Sequence, residues 1–193
     1  MAATIFNNKL PPVLLLPGWQ NSGPGHWQRA WQARWGDVWV EQHDWLQPRR
    51  GDWIARLEDV ILAQAETPVL LAAHSLGCHL VAAWAAHSQH TSKVCGALLV
   101  APADTTRPEL ATRLPTWSVP VLRPLPFAAT LLYSQDDPYC SPQQSLNLAR
   151  AWGAHALDQG ARGHLNAESG LGDWPQARAL LQALARSGSG RTA

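Results

Sequence analysis

The chain has 193 residues, 46% of them hydrophobic and 15% charged, with a formal net charge of +1 at pH 7. That length supports one sizeable core, and scattered Lys and Arg at near-zero net charge leave no electrostatic footprint for nucleic acid or an anionic membrane. Three cysteines, Cys78, Cys95 and Cys140, are an odd number without paired spacing, which argues against a disulfide framework.

Residues 1–10 carry no charged n-region followed by an apolar stretch, and Leu14-Leu15-Leu16 is too short to span a bilayer before Pro17-Gly18 interrupts it. The expected product is soluble and cytoplasmic. Pro12 to Leu16 reads as a first buried strand, followed by a Gly/Pro/Ser/Asn loop from Trp19 to Gly25. Trp27, Trp31 and Trp35 then recur at i, i+4 and i+8, a helical stripe read as core rather than as a ligand platform. Val38-Trp39-Val40 is a second strand. Gly51-Asp52-Trp53 opens a helix in which Ile54, Leu57, Ile61 and Leu62 share a face.

Pro68 to His74 is an apolar run that breaks at Ser75, and small and apolar residues at helical spacing follow as far as Trp84. Strand, sharp turn and helix in that order form a nucleophile elbow, a turn usually written G-x-S-x-G. Here it reads Ala73-His74-Ser75-Leu76-Gly77, with the first glycine replaced by alanine. Beyond it, Ala97 to Val100 is a fourth strand. Residues 102–126 hold Pro102, Pro108, Pro115, Pro120, Pro124 and Pro126 without sustained periodicity, so a long loop or small lid is expected there. Ala128 to Tyr133 is a fifth strand, Pro142 to Trp152 a helix, His155 to Leu157 a weak sixth strand, and Trp174 to Ala185 a last helix with Pro175 in its first turn. Cys78 and Cys95 lie in apolar contexts and are expected to be inert. Strands alternating with helices across short turns predict an α/β fold, a three-layer sandwich around about six mostly parallel strands. One domain is expected over residues 1–186, with 187–193 as a flexible C-terminal tail.

A serine hydroxyl needs a base to take its proton, and the base needs an orienting carboxylate. In α/β-hydrolases these follow the serine in the order acid, then histidine, each on a loop after a strand. Ser134-Gln135-Asp136-Asp137-Pro138-Tyr139 follows the fifth strand, and Gly160-Ala161-Arg162-Gly163-His164-Leu165-Asn166 follows the sixth. A parallel sheet brings both loops to the edge that carries Ser75. Spacing alone does not choose between Asp136 and Asp137, although Pro138 holds the residue before it extended. The other histidines are less well placed: His74 is expected to point to the far side of the turn, and His79 lies in the helix. One oxyanion-hole N–H belongs to Leu76, and the other to Trp19, in the Pro17-Gly18-Trp19 loop after the first strand. Trp19 and, from the proline-rich segment, Trp117 are the expected walls of a substrate pocket. No metal-ligand motif occurs, and neither metal nor cofactor is expected.

With these residues assembled, the chain closely resembles the retinoblastoma-binding-protein type of small serine hydrolases, a minimal branch of the α/β-hydrolase superfamily. The resemblance runs through Leu16-Pro17-Gly18-Trp19-Gln20-Asn21-Ser22, His26-Trp27-Gln28, Asp44-Trp45, Pro48, Asp52-Trp53 and the elbow. It continues through Val100-Ala101-Pro102-Ala103-Asp104, Asp137-Pro138-Tyr139 and Gly163-His164-Leu165-Asn166. It implies a triad of Ser75, Asp137 and His164, with the acid directly before the proline, and it accounts for Ala73 as the family's reduced elbow. The oxyanion loop is expected to follow the first strand here and follows the third in the full fold, so the two N-terminal strands of larger enzymes are expected to be missing. The implied reaction is esterase-like acyl transfer to water, and Trp19 and Trp117 as pocket walls lead to the expectation of a small, apolar or aromatic ester or amide as substrate. The rival readings are a catalytically weak binding or scaffold protein of the same fold and a metal-dependent hydrolase. No protein partner is indicated.

Overall fold

Along the first strand Val13 and Leu15 face one way and Leu14 and Leu16 the other, and all four are buried. A strand apolar on both faces belongs inside a parallel sheet covered by helices on each side. The structure, a computed structural model, describes residues 10–64 and 68–188. Its strands are β1 (Val13–Leu16), β2 (Val38–Trp39), β3 (Val69–His74), β4 (Val94–Val100), β5 (Ala129–Tyr133) and β6 (His155–Asp158). They pair in the order β2-β1-β3-β4-β5-β6, and every pairing is parallel.

The helices sort onto the two faces by the same alternation. On one side α1 (Trp27–Trp35) and α6 (Pro175–Gly188) pack Trp27, Trp31, Ala177 and Leu181 against Val13, Leu15, Leu70, Ala72 and Leu98. On the other side lie α2 (Arg50–Ala63), α3 (Leu76–Ala85) and α5 (Pro142–Trp152). They bury Trp53, Leu57, Ile61, Leu80, Trp84, Leu148 and Trp152 against Leu14, Leu16, Leu71 and Leu99. The caps are written locally. His26 accepts from the Gln28 N–H at the start of α1 and Ser141 from the Gln144 N–H at the start of α5; Gly36 and Gly153 end these helices in left-handed conformations.

Trp27 and Trp31 of the predicted stripe are core, whereas Trp35 is 39% exposed. Trp31 and Trp35 instead flank Arg178, whose guanidinium carbon lies 4.9 and 4.4 Å from the two ring centroids. Arg178 forks onto Asp37, with Nη2 3.1 Å from Oδ1 and Nη1 bonded to Oδ2, a buried pair that ties α6 to the start of β2.

Two departures from expectation concern helices. The proline-rich segment folds into α4 (Pro108–Arg113) and a single 3-10 turn, Pro115–Trp117, each opened by a proline at its first position. The last helix runs on through Ser187 and Gly188, which were expected to begin the tail. Residues 189–193 of that tail lie outside the described residues. Among the described residues no helix is long and apolar enough to cross a membrane. All three cysteines are free thiols; burial pushes Cys78 far up and Cys140 up to about 11, so neither is a thiolate near neutral pH.

From β1 the chain steps outward to β2, then returns to the opposite side of β1 as β3. The carboxyl ends of β1 and β3 therefore flank a topological switch point, where open α/β sheets bind ligands.

Candidate active site

Ser75 sits between the last residue of β3 and the first of α3, at φ 54° and ψ −119°. That is a sparsely populated conformation for a residue with a side chain, and it is held by a hydrogen bond from the Ser75 N–H to the Val100 carbonyl at 2.9 Å. Two glycines make the turn possible. A Cβ on Gly77 would lie 2.9 Å from the Pro17 carbonyl oxygen and closer still to that of Leu16, so helix and strand β1 meet backbone to backbone. A Cβ on Gly18 would lie 2.8 Å from the Cβ of Ser75. The second consensus glycine is thus enforced by contact, while Ala73 at the first position is fully buried in the core.

His164 Nε2 lies 3.0 Å from Ser75 Oγ, and its Nδ1 is 2.9 Å from each carboxylate oxygen of Asp137. The carboxylate only accepts, so Nδ1 carries the proton and Nε2 presents its lone pair to the serine hydroxyl. The Asp137 side chain is only 2% exposed, and its Oδ1 also accepts the Tyr139 N–H at 2.9 Å. The Tyr139 ring stands edge-on to the imidazole at 4.6 Å. Asp136 turns away from the imidazole. Its Oδ1 accepts from the Gly163 N–H at 2.7 Å and from Ser134 Oγ at 2.8 Å, fastening the histidine loop to the acid loop. The Gly163 N–H and then the Ser134 hydroxyl hold its carboxyl below the usual range.

A cavity of about 530 Å³ opens over Ser75. Leu76, Trp19, Leu110, Leu114 and Tyr139 give it an apolar side, and Asn21, Ser22, His26, Asn166 and Glu168 a polar one. The Trp19 N–H follows Gly18 on the loop after β1, and the Leu76 N–H is in the first turn of α3, where no intrahelical acceptor exists. Arg113 of α4 rests over the Trp19 ring at 4.7 Å.

Two expected placements need correcting. Trp117 does not wall the cavity: it is 2% exposed, its indole N–H donates to the Pro48 carbonyl at 3.0 Å, and its ring meets Trp53 at 5.8 Å. The turn at Pro115 sends the large apolar ring into the core, and the shorter Leu110 and Leu114 cover the site instead. Nor does His74 point away from the site. Its Nε2 is 2.9 Å from the His164 carbonyl oxygen, and the two rings meet edge to face at 4.8 Å. Among the described residues, no group of three His, Cys, Asp or Glu side chains is placed to hold a metal ion.

A model of the family described as serine hydrolase matches residues 13–183, from the first residue of β1 well into α6. The chain belongs to the serine hydrolase family. It is an enzyme with hydrolase activity, and the resemblance to small serine hydrolases of the α/β-hydrolase superfamily holds. Among solved structures, this serine hydrolase is similar to a YdeN-like hydrolase from Pectobacterium atrosepticum. The two are 28% identical over 93% of this chain and 92% of that one, with a TM-score of 0.80. The ydeN gene product of B. subtilis is 21% identical over 90% and 98% of the two chains, with a TM-score of 0.75. The esterase RhEst1 from Rhodococcus sp. ECU1013 is 16% identical over 92% of each, with a TM-score of 0.66. The last two share the fold. No curated protein matches the chain significantly.

Two groups at this serine hydrolase's site were given no role by the sequence. His26 is 3% exposed, lines the cavity and packs edge-on against His74 at 4.6 Å. Burial, then the neighbouring His164 and Arg29, push it down to about 3, so it is neutral. The sequence placed it in the His26-Trp27-Gln28 part of the resemblance without a role. Ser134, fully buried at the end of β5, joins three backbone and side-chain groups of the two catalytic-side loops. A serine closing an apolar run was the available signal.

Proposed function

We propose that this enzyme is a carboxylic ester hydrolase in which Ser75 is the nucleophile, His164 the general base and acid, and Asp137 the group that orients the imidazole. The observation that carries the proposal is the unbroken relay Ser75 Oγ–His164 Nε2 at 3.0 Å and His164 Nδ1–Asp137 at 2.9 Å, at the floor of a cavity. Ser75 Oγ attacks the acyl carbon as its proton passes to Nε2, and the imidazolium is stabilised by Asp137. The N–H groups of Trp19 and Leu76 receive the oxyanion, with the positive end of α3 behind the second. Collapse of the tetrahedral intermediate returns the proton from Nε2 to the leaving alkoxide and leaves an acyl-serine. Water repeats the sequence, losing its proton to Nε2, and Ser75 recovers that proton as the acid product departs.

The apolar side beneath α4 suits a small apolar or aromatic acyl group, with the polar rim at Asn21, Asn166 and Glu168 left for the other half of the substrate. The same reading takes the compartment to be the cytoplasm, in keeping with three unpaired thiols. Ser75→Ala tests the mechanism. It is expected to abolish both fluorophosphonate labelling and hydrolysis of a panel of p-nitrophenyl esters while the melting temperature stays nearly unchanged. Normal turnover by the pure variant would refute the assignment.

A further inference from the structure

His164 sits in a stretch of backbone that ordinary side chains do not favour, between Gly163 at φ 60° and Leu165 at φ 48°. The loop keeps this shape because groups from elsewhere in the chain hold its peptides. Asp136 takes the Gly163 N–H at 2.7 Å, and Trp27 of α1 donates its indole N–H to the Leu165 carbonyl at 3.1 Å. The carbonyl of His164 itself receives His74 Nε2 at 2.9 Å.

We infer that His74 is a positioning residue for the triad, a neutral donor that fixes the backbone of the base relative to the nucleophile. A carbonyl only accepts, so Nε2 carries the proton and Nδ1 the lone pair. His74 directly precedes Ser75, and the chain from the His74 side chain to Ser75 is a few covalent bonds long. The other end of the same side chain grips residue 164, 90 positions away. Of the contacts that shape the histidine loop, this one runs from the elbow itself to His164, so it bears most directly on the separation of Ser75 Oγ and His164 Nε2. The ring is enclosed as the role requires: it is 5% exposed, with the His26 ring edge-on at 4.6 Å and the His164 ring at 4.8 Å. Burial, then these two neighbours, draws its basicity well below that of a free imidazole, so the donor stays single and uncharged through the working range.

The inference rests on the proposed triad, and its test separates the two. His74→Gln places an amide N–H near the position of Nε2, His74→Asn places one a methylene short, and His74→Leu fills much of the volume without a donor. On an ester cleaved by the parent enzyme, His74→Leu and His74→Asn are expected to lose about 10²-fold in kcat with KM nearly unchanged, the size of effect a displacement of about 1 Å produces. His74→Gln is expected to stay within about fivefold of the parent. The far-downfield proton resonance of the His164 Nδ1–H, bound to Asp137, should persist in the Gln variant and shift or broaden in the other two. Parent-like kcat in His74→Leu or His74→Asn would overturn the inference, as would a Gln variant as slow as Asn at equal melting temperature. Failure of the triad itself would show instead as turnover by Ser75→Ala.

Discussion

Lowering the pH from 7 to 5 should destabilise this protein well before its carboxylates are titrated. His26 and His79 are buried and neutral, with burial the largest cause in each case, pushing the first down to about 3 and the second to about 4. The His26 hydrogen bond requires the neutral ring, whereas that of His79 works against its burial without outweighing it. His26 Nδ1 accepts the Gln28 N–H at 3.2 Å, and His79 Nε2 meets the Ala103 carbonyl at 2.7 Å. Among the described residues, buried His26 Nε2 and His79 Nδ1 have no hydrogen-bond partner. In the unfolded chain each imidazole protonates near its ordinary value of 6.5, so below that pH the unfolded state binds more protons and gains on the native state. Stability is therefore whole above about pH 6.5 and falls progressively toward the folded values near 3 to 4. Integrated from pH 7 to pH 5, each group removes about 2 kcal/mol, and the pair about 4 kcal/mol, a large share of the roughly 5–15 kcal/mol available to a domain. His74, lowered for the same reason, acts in the same direction. Urea titrations followed by tryptophan fluorescence at pH 7, 6 and 5 measure the decline. His79→Gln keeps a donor for Ala103 without a titratable ring and should flatten the decline by about 2 kcal/mol. An unfolding free energy constant to within about 0.5 kcal/mol over this range would refute the claim that these rings stay neutral when buried.

Asp137→Asn should lower kcat by about 10⁴, because an amide that donates to Nδ1 selects the wrong tautomer, whereas Asp136→Asn should cost far less since Oδ1 can still accept from Gly163 and Ser134. A larger loss at Asp136 in the same ester assay would reverse the assignment. Trp117→Ala should destabilise by about 3–5 kcal/mol in chemical denaturation and leave KM unchanged, as for a core ring rather than a pocket wall. Asp37→Ala should cost about 3–5 kcal/mol by leaving the Arg178 charge buried alone, and a loss below about 1 kcal/mol would show that water reaches the guanidinium.

The legibility of the sequence followed the range of the forces involved. Uninterrupted apolar runs such as Leu70-Leu71-Ala72-Ala73 mark strands buried on both faces, and the glycine at residue 77 marks a close approach, because each is written in neighbouring residues. The loops that carry Ser75, Asp136-Asp137 and His164 were legible because chain order and loop position are properties of the fold type, whereas the expectation of Asp137 over Asp136 came from Pro138 and from the resemblance. The direction of Trp117 was not, since whether a ring faces a cavity or the core depends on Trp53 and Pro48, more than 60 residues earlier. His74 was misread for a related reason. Alternation along a strand sends it to the opposite face from Ala73, but only the arrival of the 160–166 loop decides what that face touches. Nor did the proline-rich stretch reveal α4, because a six-residue helix opened by Pro108 has too few turns to show a period.

The contacts that join α1 and the start of β2 to the far end of the chain bear on when the enzyme comes into being. Trp27 to Leu165, Trp31 to Asp173 and Arg178 to Asp37 span 138, 142 and 141 residues. Loop closure over such separations is entropically costly, and folding rates fall as contacts of this kind come to dominate. A nascent chain that has released β1 to β5 and the loop that follows already holds Ser75 and Asp137, yet it has neither His164 nor α6, against which Trp27 and Trp31 bury. Under the proposed triad, the nucleophile is therefore made early on the ribosome and receives its base late. On that proposal, a partly synthesised chain that ends short of the 160–166 loop holds the serine without the base that activates it.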